Sequence, residues 1–201
     1  MRARPRQEVG SCGKRAVLYS ARPYAQPNVE RRNVERVTSG ELLTDAFGRI
    51  QEVVHQTVEG LDEDQLAYRL GEEANSIAWL VWHLTRTQDD HVTEVAGTEQ
   101  VWPRWADRFE LPFDLADIGF GHDSADVAAV RVPGELLTGY HDETCARTVE
   151  YIRAIADADL DRIVDRRWNP PVTLGVRLIS VVSDDLQHAG QAAFVRGLLP
   201  G

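Results

Sequence analysis

Apolar side chains recur every three to four positions in four separate stretches after residue 37, and charged residues fill the positions between them. The first stretch, "VTSGELLTDAFGRIQEVVHQTVEG", places Leu43, Phe47, Ile50, Val54 and Val58 on one face. Thr38 and Glu41 have capping-box spacing and Gly60 is a natural stop, so the pattern predicts a helix over about 39–59. The second, "NSIAWLVWHLTRTQDDHVTEVAG", opens on a capping Asn75 or Ser76 and closes at Gly97. Ile77, Leu80, Val81 and Leu84 form its stripe, widened by Trp79 and Trp82. A third helix starts near Pro133, with Leu137, Tyr140, Thr144, Thr148, Ile152 and Ile155 on one side. A fourth runs from about Thr173 to Leu199. Residues 98–132 follow no single period. They mix aromatics, prolines and acids, with one short helix expected after a Ser124 cap. So long a connection in a compact domain marks a functional segment, here a candidate cover for a site. The expected fold is all-α, a four-helix bundle with its long connection between the second and third helices.

Polar residues on these apolar faces carry the chemistry. In "SVVSDDLQHAGQAAFVRGLL", Asp184 and His188 stand four apart and share a face with Val181, Ala192 and Val195. A carboxylate and an imidazole at that spacing can grip one metal ion, as two histidines do in HExxH helices. Asp185 is either a rival ligand or an acceptor that orients the imidazole. In the second helix His83 lies on the apolar stripe, between the tryptophans and Leu84. Asp90 returns to nearly the same face about 10 Å further along the axis, at roughly 1.5 Å per residue. That suits a substrate contact better than a shared ligand shell, and His91 points elsewhere. His83, Asp184 and His188 together offer three ligands and an open position, the form of a ligand-exchanging site. Two plainer readings stand beside this one: a hydrogen-bonded core histidine, and a helix-surface Asp–His pair. His55, His122 and His141 read as surface or loop residues, and the aspartates at 157, 159, 161 and 165 as a solvated turn.

Composition narrows the classes. The chain of 201 residues carries a net charge of −10, unevenly spread. Residues 1–36 hold nine basic and three acidic side chains, whereas residues 37–201 hold thirteen and twenty-nine, a net of −16. The acidic body argues against nucleic acid, which needs a basic footprint. The basic segment 1–36, with prolines at 5, 23 and 27, is expected to be a disordered extension, leaving 37–201 as the folded domain. A later natural start near Val34 or Val37 is a further expectation for this segment. No apolar run is long enough to cross a bilayer, and the N-terminus lacks the apolar stretch of a signal peptide, so a cytoplasmic protein with no membrane partner is expected. Cys12 and Cys145 make no disulfide framework, and Cys145 reads as a small core residue.

Two segments in this order, "SIAWLVWHLTRTQDDHV" and "SDDLQHAGQAAFVRGLL", resemble the DinB-like metalloprotein superfamily, and within it the mycothiol-dependent, maleylpyruvate isomerase-like branch. The resemblance spans about residues 38–199. It implies a four-helix bundle holding a divalent metal through the histidine of W-H-L, here His83, and that of H-A-G-Q, here His188. The middle ligand falls four residues before the last, where the family has histidine or glutamate and this chain has Asp184. Aspartate is one methylene shorter than glutamate, so Asp185 or a bridging water is an alternative route to the metal. Zinc is the expected ion, with nickel, iron and manganese also compatible with such ligands. The chemistry implied is that of a low-molecular-weight thiol such as mycothiol, held as thiolate and attacking a small-molecule electrophile. The outcome would be S-transfer or isomerisation, and no protein cysteine is needed. Arg86 and Arg177 are candidates to receive an anionic substrate, and Gln191, near His188, to bond a ligand or the imidazole. Two other functions compete: a metal-dependent hydrolase on the same bundle, and a non-catalytic binding or stress-response bundle, for which a homodimer is one assembly.

Overall fold

The computed structural model describes residues 37–200, so the expectation of a disordered basic extension falls outside the described residues. Four long helices carry the fold: α1 (Ser39–Val58), α3 (Ile77–Ala96), α6 (Gly134–Ala154) and α7 (Leu174–Arg196). Short helices α2 (Glu63–Leu66), α4 (Ala106–Phe109) and α5 (Ser124–Ala129) lie in the connections. Two strands, β1 (Ile163–Asp165) and β2 (Val172–Thr173), pair antiparallel just before α7.

The chain ends each helix where its chemistry directs. Thr38 and Glu41 form a reciprocal capping box on α1. Ser76, rather than Asn75, caps α3 by accepting from the Trp79 amide, and Gly97 closes that helix in the left-handed conformation at φ 68°. Thr173 caps α7. The short helix expected after Ser124 is present, but Asp123 is its cap and Asp126 completes the box. A carboxylate accepts both the Ala125 and Asp126 amides there, which one hydroxyl does less well.

Each long helix packs against two others: α1 against α6 and α7, and α3 against the same pair. The core lies where the four stripes meet. Phe47, Ile50, Leu80, Leu137, Ile152, Leu178 and Ala192 are all at most 1% exposed. Burying each of the larger ones stabilises the fold by about 1.5–3 kcal/mol. Among the described residues no helix is long and apolar enough to cross a membrane.

The long connection is tied down from beneath by two charged residues of α3. The Arg86 guanidinium is fully buried. It donates to the carbonyls of Asp117 (3.0 Å) and Leu115 (3.2 Å), to Gln100 Oε1 (3.0 Å) and to the Tyr140 hydroxyl (3.3 Å). Asp89, one turn on, accepts from the amides of Val101 and Trp102 and from Tyr140. Arg86 Nη1 stands 3.7 Å from Asp89 Oδ2. The placement of Arg86 corrects its expected role as an anion receptor: its donors are spent on folding residues 98–132 over α3. The acidic turn is likewise more structured than a solvated loop. Asp165 is buried and takes hydrogen bonds from Arg167 and Arg177, which pull its carboxyl down to about 2.

Candidate metal centre

His83 on α3 and the Asp184–His188 pair on α7 meet where these two helices pack. One ligand atom from each lies within 4.8 Å of the others. His188 Nε2 is 3.6 Å from Asp184 Oδ1. The two imidazole rings meet edge to face, with centroids 4.8 Å apart. His83 is 9% exposed, while Asp184 and His188 are partly open to solvent, so the cluster is closed on the α3 side and open on the α7 side.

Both histidines are held in the orientation that a metal needs. His83 donates its Nδ1–H to the Ile118 carbonyl, and His188 donates its Nδ1–H to Gln191 Oε1 at 3.1 Å. His83 therefore keeps its Nε2 lone pair, while the second nitrogen of His188 faces Asp184; an acceptor on Nδ1 is the usual companion of a metal-ligating imidazole. Trp79 stacks on His83 at 4.6 Å, and its indole N–H is taken by His122 Nδ1 at 3.1 Å. His122 in turn donates Nε2–H to Asp117 Oδ2, and Asp117 Oδ1 accepts the Gly119 amide. Gly119, at φ 89°, lies against the His83 ring, where a Cβ would stand 2.8 Å from Nδ1. Residues 117–122 thus seat His83 through a carbonyl, a glycine and an indole propped by His122. The connection is a cover, as expected, and His122 lies in its loop, one of the two settings expected for it, but not at the surface: its side chain is only 6% exposed. The glycine pair in "DIGFGH" was the one signal in sequence, since both Gly119 and Gly121 have positive φ.

The electrostatics follow from this packing. Burial holds His83 below the ordinary imidazole range, against the opposing pull of the Ile118 carbonyl, so it is neutral at pH 7. The facing Asp184 carboxylate, 3.6 Å away, raises His188, and the imidazole lowers Asp184 in turn. A cation at the cluster must displace the proton of His188, so its affinity weakens as pH falls.

Asp185 has a different environment. It is fully buried, its two oxygens have no hydrogen-bond partner among the described residues, and burial raises its carboxyl well above the usual range. It is absent from the three-residue cluster. Asp90 accepts from Gln100 Nε2 at 2.8 Å and lies 3.2 Å from His91, whose hydrogen bond lowers its carboxyl. Arg177 spans His91, Glu94 and Asp165. His141, expected at the surface, is fully buried beside Thr85, and burial takes its imidazole down to about 4. Cys145 is buried as expected, with its thiol pushed up to about 11 by burial.

The donor set fits a divalent cation. Asp184 Oδ2 is buried without a partner among the described residues, which is costly for a carboxylate unless a cation or donor completes it. Two imidazole nitrogens and a carboxylate oxygen suit zinc and its first-row neighbours. Tetrahedral bonds of about 2.0–2.2 Å set ligand atoms about 3.3–3.5 Å apart. Holding an ion would shorten separations of up to 4.8 Å by up to about 1.3–1.5 Å, a movement within reach of the partly exposed side chains on α7.

A four-helix bundle with W-H-L on its second long helix and H-A-G-Q on its last is that of a DinB-like protein. The family model for mycothiol-S-transferase matches residues 42–201, and the chain belongs to that family. Among solved structures, the crystal structure of the conserved protein of locus from Enterococcus faecalis is similar, with a TM-score of 0.74 and 27% identity. That match covers 81% of this chain and 98% of the other. No curated protein matches the chain.

Proposed function

We propose that this protein is a metal-dependent transferase that joins mycothiol, or a thiol like it, to a small neutral electrophile. His83, Asp184 and His188 would hold the divalent ion, zinc first among the candidates. The single observation that carries the reading is the pair of imidazoles whose Nδ1 hydrogens are already committed, leaving two Nε2 atoms beside an unpartnered carboxylate oxygen. A divalent ion in that position favours the thiolate form of a coordinating thiol at neutral pH.

The chain's own residues do the rest. Ile118 and Gln191 fix the two rings, and the 117–122 cover excludes water from the buried side of His83. The thiol proton leaves to solvent across the open α7 side, so no side chain is required as a base. In transfer, the sulfur forms a bond to the electrophilic carbon while the leaving group departs with its electron pair; in an isomerisation the thiolate instead adds to a carbon–carbon double bond with no group lost, and the adduct, after rotation about the resulting single bond, expels the thiolate to restore the double bond. Cys145 takes no part, since its buried thiol stays protonated. Charge favours a neutral electrophile. The domain is strongly acidic, and the two arginines offered by the sequence for an anion are engaged, Arg86 by the connection and Arg177 by Glu94 and Asp165.

The test is turnover of a neutral aryl chloride by the zinc-loaded protein with and without mycothiol. The expected result is product only with the thiol, with activity reduced by more than roughly 100-fold in His188→Ala. Equal consumption without thiol would point to the hydrolase, and activity indifferent to chelation would overturn the reading.

A further inference from the structure

Neither the bundle core nor the metal centre uses the outer face of α7. Val176, Ile179, Leu186 and Phe194 stand there at 50, 55, 46 and 63% exposure, and Leu198, in the turn just past the helix end, is 48% exposed. The other exposed positions between them are Ser180, Ser183, Gln187, Gly190, Gln191 and Gly197. None is charged, in a chain where 27% of residues are. Asp184 turns to the metal centre and Asp185 to the core. The exposed positions of α1 and α6 differ: Glu41, Asp45, Arg49 and Glu52 on one, Glu135, Arg147, Glu150 and Arg153 on the other. Loss of charge with retention of large apolar side chains is the composition of an interface core.

The order of residues along the face is nearly palindromic. Moving outward from Leu186, the small Ser183 and Gly190 come first. Ile179 and Phe194 follow, at equal steps from a point between residues 186 and 187. Val176 and Leu198 come last, within half a residue of the same centre. A two-fold dimer requires a patch that complements itself when its direction is reversed, and this face meets that requirement. Among the described residues, apart from the helix's own neighbouring backbone, nothing lies within 4 Å of where a Cβ of Gly190 would stand, so another helix can approach closely. Charge selects the same occupant. Residues 37–201 carry a net −16, so two copies repel wherever their acidic faces meet and approach with least repulsion through an uncharged one. A cationic partner would be drawn to the acidic faces instead.

We propose that the protein forms a two-fold dimer through α7, packed antiparallel on α7 of a second copy. Phe194 covers the partner's Ile179, and Ser183 meets the partner's Gly190. Because Gln191 borders this face and holds the His188 ring, the interface runs beside the metal centre.

Light scattering with size-exclusion chromatography, on the full chain at tens of micromolar, tests this. The expected mass is about 45 kDa, twice the 22.5 kDa chain. Phe194→Glu and Leu186→Arg should each halve it while leaving the helical circular dichroism unchanged. Phe120→Glu, at a site 92% exposed on the connection, should leave it intact. Leu186→Cys should form, on oxidation, a disulfide joining the two substituted positions, read by peptide mass. A monomeric wild type would overturn the proposal and leave the face to another occupant. So would a Phe194→Glu dimer of unchanged mass, or a dimer without that cross-link.

Discussion

Asp184 and Asp185 are neighbours in sequence with opposite fates, decided by about 100° of helix rotation. Asp184 meets two imidazoles and stays ionised; Asp185 meets apolar packing and holds its proton. Its raised pKa means that the folded state keeps a proton which the unfolded chain releases above about pH 4. The contribution of Asp185 to stability is therefore largest below that pH and declines as pH rises toward the folded value. Asp185→Asn, which keeps the shape and cannot ionise, should raise the melting temperature at pH 8 and have much less effect at pH 4. An increment equal at both pH values would show that Asp185 is not held protonated. Gln191 acts through His188 alone, so Gln191→Leu should weaken metal affinity about 10–100-fold with little change in melting temperature. Competition with a chelator reads this directly.

At the scale of elements, the connection from Gly97 to Pro133 joins the metal centre to the bundle. Gly119→Ala adds a Cβ against His83 Nδ1 and forces a non-glycine residue to φ 89°. The expected outcome is a loss of metal affinity together with strain of about 1–3 kcal/mol, read by chelator competition and denaturant unfolding. Arg86→Met strips the connection of three hydrogen bonds and Tyr140 of a fourth, and leaves Asp89 buried without its cation. Loss of one partner of such a pair costs about 3–5 kcal/mol, visible as a lower denaturant midpoint. The sequence made the helices plain, because each apolar stripe keeps one helical period, over about two turns in the second helix and four to five in the first and third. It made His83, Asp184 and His188 conspicuous because they break those stripes. It did not disclose the Ile118 carbonyl, the prop from Asp117 through His122 to Trp79, or the clamp by Arg86. The contacts from α3 to residues 115–122 join positions 29 to 43 apart, and backbone carbonyls leave no trace in residue type. His141 was legible yet misread: it follows Tyr140 and precedes Thr144 on the buried stripe, where a surface histidine has no place.

For the whole molecule, burial of neutral histidine sets the acid limit. His141, held near 4 against an ordinary 6.5, must charge when the chain unfolds in acid. Its contribution is present above pH 6.5 and is lost as pH falls through that window toward 4, to the extent of about 3 kcal/mol at 1.36 kcal/mol per pKa unit. His141→Gln should flatten the fall in stability between pH 6.5 and 4; an unchanged slope would place it in other groups. The bundle supplies rigidity, the connection orients one histidine, and α7 brings the carboxylate and the second histidine to an open edge. All of this converges on one claim, that His83, Asp184 and His188 bind a single divalent cation. Cobalt substitution tests it most directly, by metal stoichiometry and visible absorption of the purified protein. The account predicts one equivalent per chain with the intense bands of a four-coordinate ion, reduced below a tenth of an equivalent by His83→Ala or His188→Ala. Stoichiometry unaffected by either substitution, or a wild type that retains no cobalt, would contradict it.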